Sequence, residues 1–310
     1  MNSPKKLNYE TRPLKFTERK MLLASLLKIC NHFKGEYQYI GFGGISFTDF
    51  KLFHKELHLD KLISIEGGEF TIEKLRFNAP FSFIQIIKDF STNALQNIDL
   101  SVKSLVWLDY DETLDNYMFQ DIKLLFSKLP EGSIYLITCN RELKSKETGK
   151  EYSVSEFEEK FQNLVPFGIK NIDFTGQQNY KTIRKMLLSL IKETISDRNN
   201  SQNEQLVFNQ LFNITYQENR GAKMFTLGGV ISKSKFDLNK LDIDKLSFIN
   251  IDETAYNLKI PNLTLKEIDL INDYFDDEQE LLSKSIIEKH DIDKYKKTYR
   301  YLPKFFDVRF

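Results

Sequence analysis

Four places in this chain carry residue types whose spacing could do chemistry. Tyr39-Ile40-Gly41-Phe42-Gly43-Gly44 closes an apolar run, and helical periodicity starts a few residues later. Glycines at such a turn let the backbone approach a ligand and adopt positive φ, although any tight strand-to-helix turn also needs them. Glu66 ends a second apolar run about 20 residues on, where a carboxylate can accept hydrogen bonds from both hydroxyls of a ribose. Asp89 follows a third run; it can accept from an adenine amine, and Phe90 beside it can pack on the ring. Asp109 and Asp111 follow a fourth, Ser104–Leu108. Each could be a solvated loop residue, and Asp111, with Glu112 and Asp115, could instead cap the next helix. Four successive strand ends carrying Gly, Glu, Asp and Asp point together to a nucleotide-type cofactor, because open α/β sheets bind ligands at that edge.

The elements that must position these residues are legible in the periodicity. Strands are expected at 37–42, 61–66, 83–87, 104–108 and 133–138. Helices are expected at 18–33, 46–58, 70–78, 92–98, 114–129, 154–164 and 180–195. The strands read as near-continuous apolar runs, as burial on both faces of a parallel sheet requires. A polar loop is expected at 197–204. Residues 206–216 and 222–231 then form a β-hairpin around Gln217-Glu218-Asn219-Arg220-Gly221. From about 236 the pattern turns helical, with amphipathic segments at 263–275, 278–289 and 291–297. Its last residues, Tyr299–Pro303 with Phe305 and Phe306, are too apolar for a free tail and must be buried on the chain itself or on a protein partner.

This layout resembles the class I S-adenosylmethionine-dependent methyltransferases, whose parallel sheet is closed by a late antiparallel hairpin. The resemblance covers about residues 36–232. More narrowly, Arg12-Pro13, Glu18-Arg19-Lys20, 39–50, 108–111 and 299–303 look like bacterial O-methyltransferases of uncharacterised role, some in phage-defence neighbourhoods. The resemblance implies S-adenosylmethionine as cofactor. It places Gly41, Phe42, Gly43 and Gly44 along the methionine part, Glu66 on the ribose, Asp89 and Phe90 at the adenine, and Asp109 near the methionine or the reacting centre. Asp109 and Asp111 are then the candidate catalytic residues, as base or orienter for an oxygen acceptor. One position departs from the superfamily. An acid usually stands two residues before the first glycine, and here that residue is Tyr39. Either Asp49 or Asp109 takes its task, or the cofactor binds differently. The alternative function is a non-catalytic binding or scaffold protein on the same fold, in a phage-defence setting.

The expected organisation is an N-terminal arm and helix (1–35), a Rossmann-like methyltransferase domain (36–235) and a small helical C-terminal unit (236–310). Composition narrows the function classes. Lys and Arg (44) balance Asp and Glu (44), so no global field draws the chain to nucleic acid or an anionic membrane. Residues 1–36 do carry eight Lys/Arg against three acids, read as a solvated helix face rather than an anion site. A base-methylating enzyme would carry an Asn/Asp-Pro-Pro-aromatic tetrad; Asp109-Tyr110-Asp111-Glu112 has no proline, and its acids repel phosphate. Asp109, Asp111 and Asn140 stand at adjacent strand ends as an oxygen set suited to Mg²⁺, but Cys139 stands where a second acid is needed, so no metal is expected. His54 and His58 read as ordinary helix residues. With two distant cysteines, no signal segment and no membrane-spanning apolar run, a cytoplasmic protein is expected.

Overall fold

The computed structural model describes residues 12–145, 148–203, 205–218, 221–233 and 237–303 of the 310-residue chain. Its centre is an eight-stranded sheet in the order β3-β2-β1-β4-β5-β7-β6-β8. Five strands run parallel: β1 (Gln38–Gly41), β2 (Lys61–Ile65), β3 (Gln85–Ile87), β4 (Ser104–Thr113) and β5 (Ile134–Asn140). The hairpin β6 (Val207–Gln217) and β7 (Lys223–Ser232) closes it, with β7 inserted antiparallel between β5 and β6. This is the sheet that the resemblance implies.

Side chains alternate between two cores, as strand geometry dictates. One face takes Val106, Leu108, Tyr135 and Ile137 under α4 (Ser91–Ala94), α5 (Asn116–Lys128), α6 (Val154–Phe161) and α7 (Gln178–Gln202). The other takes Tyr39, Leu105, Trp107, Ile134 and Leu136 under α1 (Pro13–Phe33), α2 (Thr48–Leu57) and α3 (Ile72–Asn78). Both faces are covered, which is why these strands are apolar at nearly every position.

The first helix departs from expectation in extent and in environment. It begins at Pro13, the favoured first helical position. Its amino end is capped from the hairpin turn: Leu14 N donates to Glu218 Oε1 at 3.2 Å, and Arg12 Nε meets Glu218 Oε2 at 2.6 Å. The basic residues were expected on a solvated face. Instead Lys15, Glu18 and Arg19 are almost fully buried. Lys15 Nζ lies 3.0 Å from Glu18 Oε2, 2.9 Å from Asp109 Oδ2 and 4.5 Å from the centre of the Trp107 ring. Arg19 pairs with Asp49 of α2. Thr226 donates to Glu18 Oε1 at 2.5 Å, Thr226 and Thr138 share a 2.9 Å hydrogen bond, and Trp107 Nε1 donates to Thr138 at 3.0 Å. One helical turn thus carries a connected polar path into β4, β5 and β7. Buried charge is tolerated where it is paired in this way.

The other differences follow from tertiary contacts. The polar stretch 197–202 continues α7 because Arg198 is buried and donates to the carbonyl of Leu129 at 2.7 Å. Among the described residues of 236–310 a short 3-10 turn (Leu238–Leu241) comes first, and the α-helices begin at α8 (Leu265–Asp273), followed by α9 (Glu278–Ser283) and α10 (Lys289–Thr298). Before them the chain runs along the β6 edge. Asn250 N donates to Leu211 O at 2.7 Å, and β8 (Tyr256–Asn257) pairs parallel with β6. Ile243, Phe248 and Leu258 enter the same core as α1. Two paired residues have no periodicity to read, so this strand left no trace in the pattern. The helices α8–α10 gather their own small cluster of Ile271, Leu281, Ile287, Ile292 and Tyr295. Tyr301 docks edge-on to Phe248 at 5.6 Å, and Tyr299 packs on Phe275 at 5.1 Å. Phe305 and Phe306 lie outside the described residues, as do Lys5 and Lys6. Among the described residues no helix is long and apolar enough to cross a membrane.

Replacing Lys15 by Met should leave Asp109 and Glu18 without their buried cation. Breaking such a pair from one side costs about 3–5 kcal/mol. Lys20→Met, which removes only the 3.7 Å surface contact to Glu56, should cost less than about 1 kcal/mol. Chemical denaturation of the two variants beside the wild type measures both; equal midpoints would refute the difference.

Candidate cofactor site

Parallel pairing puts the C-terminal ends of β1, β2, β3 and β4 on one edge of the sheet. Gly41 is level with Ser64 and with Trp107, so Gly43, Glu66 and Asp109 each stand two residues beyond that row. The structure therefore brings the glycine turn, Glu66, Asp89, Phe90 and Asp109 to neighbouring strand ends.

The glycine turn is held by Glu66. Glu66 Oε1 accepts from Gly43 N at 2.8 Å, from Gly44 N at 3.0 Å and from Ser64 Oγ at 2.5 Å. Gly43 N also reaches Ser64 Oγ at 3.1 Å. A Cβ on Gly43 would stand 2.6 Å from the Phe47 ring and from Ser64 Oγ, and Gly44 has φ +55°. Glycine at 43 is therefore required by close approach, and at 44 by backbone conformation. From sequence these glycines are expected to line the cofactor and Glu66 to face the ribose. The geometry adds that the loop amides serve Glu66 itself, so the loop offers a ligand bare backbone surface. Burial pushes the Glu66 carboxyl up to about 7, against the lowering effect of Ser64, the two amides and Lys88.

Lys88 and Phe90 complete this side. Lys88 Nζ donates to the Glu66 carbonyl at 3.0 Å and to the Gly68 carbonyl, tying the ends of β2 and β3 together. Phe90 is 71% exposed. Its ring nevertheless lies against Gly67, where a Cβ would come within 2.9 Å of it. A large exposed aromatic face beside Glu66 is a surface on which a flat ring can stack. Asp89 is half-buried, and its Oδ1 accepts from Phe90 N at 2.7 Å and Asn93 Nδ2 at 3.2 Å, so it also shapes the turn into α4. Ser91 and Tyr110 both donate to Asp121 Oδ2, at 2.5 and 2.6 Å, and anchor that turn to α5. Phe42 packs edge-on to Tyr110 at 5.2 Å.

The end of β4 differs from expectation. The strand continues to Thr113 through a bulge, with Asp109 opposite Thr138 and Thr113 opposite Asn140. Asp111 lies exposed inside that bulge. The cap of α5 is Asp115, whose Oδ1 accepts from Asn116 N at 2.7 Å. Asp109 is held by Lys15, so its Oδ2 is engaged by an ammonium; this suits an orienting group better than a base. Asn140 Oδ1 accepts from Glu142 N at 3.0 Å. Tyr39, at the usual acidic position, is fully buried, with its ring edge-on to Phe50 and Phe53 at 4.8 Å each. A Cβ on Gly41 would meet its ring, so Gly41 is bare to admit Tyr39. His54 packs against Phe81 and Phe83 at 4.4 and 5.0 Å. Burial pushes the Cys30 and Cys139 thiols up to about 12, which leaves neither a thiolate nucleophile.

Lys15, Glu18, Arg19, Ser64 and Lys88 were not singled out as site residues from sequence. The first three occupy one turn of α1 that is buried on nearly all sides, so amphipathic periodicity carries no signal there. Ser64 could have been found from its i, i+2 relation to Glu66 on a strand, which puts both side chains on one face.

Gly43→Ala should force Phe47 and Ser64 apart, an overpacking effect of about 1–3 kcal/mol. The expected outcome is retained helical circular dichroism with loss of nucleotide-cofactor binding in calorimetry. Normal binding would reduce the loop to a turn.

Comparison with known proteins gives this site its family. No curated protein is significantly similar in sequence. Spermidine synthase from Thermotoga maritima is 14% identical, with a TM-score of 0.39 over 78% of this chain and 67% of that one. A protein described as a "putative hemolysin" from Lactococcus lactis is 11% identical, with a TM-score of 0.42 over 80% of this chain and 97% of that one. The N-methyltransferase NodS from Bradyrhizobium japonicum WM9, crystallised with S-adenosyl-L-homocysteine, is 8% identical, with a TM-score of 0.37 over 69% of this chain and 85% of that one. Likenesses this distant carry no argument about chemistry. The model of one family, however, matches residues 7–310. The chain therefore belongs to the family described as "Putative O-methyltransferase".

Proposed function

We propose that this enzyme methylates an oxygen atom of an acceptor bound beyond the end of β4, with Asp109 and Asp111 as its reacting-edge residues. The observation that carries the reading is the cradle of Gly43, Gly44, Glu66 and Phe90 beside that end. The residues fit S-adenosylmethionine: bare backbone at the glycine turn, a carboxylate with one oxygen held by the loop, and an exposed aromatic face next to Gly67. Glu66 holds the ribose, Phe90 packs on the adenine with Asp89 at its amine, and the glycine turn runs along the methionine part. The cofactor supplies an already activated methyl group, so the chain's task is alignment and the removal of one proton. Asp109, fixed by Lys15, orients the reacting groups. Asp111, exposed in the β4 bulge, takes the proton from the acceptor hydroxyl.

Acids at this edge disfavour a phosphate-rich acceptor, so a nucleic-acid substrate is not part of the proposal. Cys30 and Cys139 are free thiols far apart in the sequence, which suits a reducing cytoplasm. No observation favours the scaffold alternative or a defence setting.

Calorimetry with S-adenosylhomocysteine tests the site. Glu66→Ala should weaken binding by about 1–3 kcal/mol, the scale of lost hydrogen bonds to a charged group. Asp111→Asn should leave that affinity unchanged while lowering methyl transfer to a panel of hydroxyl acceptors. Unaltered affinity in a folded Glu66→Ala protein would sink the ribose assignment.

A further inference from the structure

Ser64 is fully buried and shares a strand face with Glu66. Its hydroxyl makes two contacts at once. It donates to Glu66 Oε1 at 2.5 Å and accepts from Gly43 N at 3.1 Å, while Gly43 N also reaches Oε1 at 2.8 Å. Hydroxyl, amide and carboxylate oxygen close a triangle, and Gly44 N joins it at 3.0 Å. All three donors to the carboxylate fall on Oε1. A glutamate with two χ angles beyond Cβ has no intrinsic reason to present one particular oxygen. Here the shared hydroxyl removes that freedom.

Resting on the ribose reading of Glu66, we propose that Ser64 is a positioning residue for the cofactor. Its hydroxyl locks Oε1 to the glycine loop and so leaves Oε2 to receive the ribose hydroxyls. The same contact acts on the charge of Glu66. Among the groups that lower its titration, Ser64 comes first, before the two loop amides and Lys88. Lys88, from the end of β3, is the charged group acting on it; the loop and Ser64 act through their dipoles. The sign follows. Ribose hydroxyls donate to the ionised carboxylate, so cofactor affinity rises as pH passes through about 7. Removing the Ser64 hydroxyl moves that rise to higher pH. Ser64→Ala leaves the Gly43 amide bonded to Oε1, so no donor is orphaned and the fold should hold.

Two measurements test this. In ligand-free protein labelled with ¹³C at glutamate side chains, the Glu66 carboxyl signal is identified by its loss in Glu66→Gln. Its midpoint should rise by about one pH unit in Ser64→Ala, and Ser64→Thr should return it toward the wild type. Calorimetry with S-adenosylhomocysteine across pH should show affinity at pH 7 falling roughly fivefold in Ser64→Ala and recovering above pH 8. An unmoved Glu66 midpoint in Ser64→Ala would overturn the positioning role while leaving the ribose reading intact. A moved midpoint with binding indifferent to both Ser64→Ala and Glu66→Gln would overturn it from the other side, by removing the ribose reading.

Discussion

The requirement that buried charge be paired organises this molecule around one turn of its first helix. Lys15, Glu18 and Arg19 lie under the edge of the sheet with almost no exposure. Each needs a partner from elsewhere in the chain, and each finds one: Asp109 on β4, Thr226 on β7, Asp49 on α2. The partners of that turn are thus up to 208 residues away. Removing any one of them would take a partner from a buried charge in a medium that solvates it poorly. The helix, the fourth strand, the inserted hairpin strand and the helix after the glycine turn must therefore assemble together.

A second constraint acts on the open edge. Strand ends in a parallel sheet leave loops that nothing in the ladder ties down. Here two side chains stitch three of them. The Glu66 carboxylate gathers the amides that follow β1, and Lys88 reaches back from the end of β3 to carbonyls that follow β2. The site is consequently rigid before a ligand arrives, the condition under which binding loses least to ordering. Phe90, left exposed beside Gly67, is the exception that a ligand would cover.

The hairpin and the C-terminal segment complete the enclosure. Insertion of β7 next to β5 places Thr226 and Thr138 side by side beneath α1. That leaves β6 as an edge, and the chain from about residue 243 to 258 covers it. The edge is blunted by polar contacts, with Gln210 and Asn213 donating to carbonyls at 250, 252 and 253. The last three α-helices, α8 to α10, follow this segment.

Much of the sheet, and the gathering of these residues at one of its edges, could be read from the chain alone, because the apolar runs, the glycine turn and the acids at 66, 89 and 109 are local signals. A strand buried on both faces must be apolar throughout, and the residue that ends it must stand at the sheet edge. Sequence determined those things. It could not reveal that Lys15 meets Asp109, that Glu218 caps Pro13–Phe33, or that Tyr256–Asn257 extends the sheet. Nor could it reveal that Ser64 and the glycine amides share one oxygen of Glu66. Each of these depends on which groups meet across tens or hundreds of residues, and a charge looks the same in a sequence whether water or an opposite charge will surround it. The tertiary structure decided them, since only a closed fold removes the water and makes the partner obligatory.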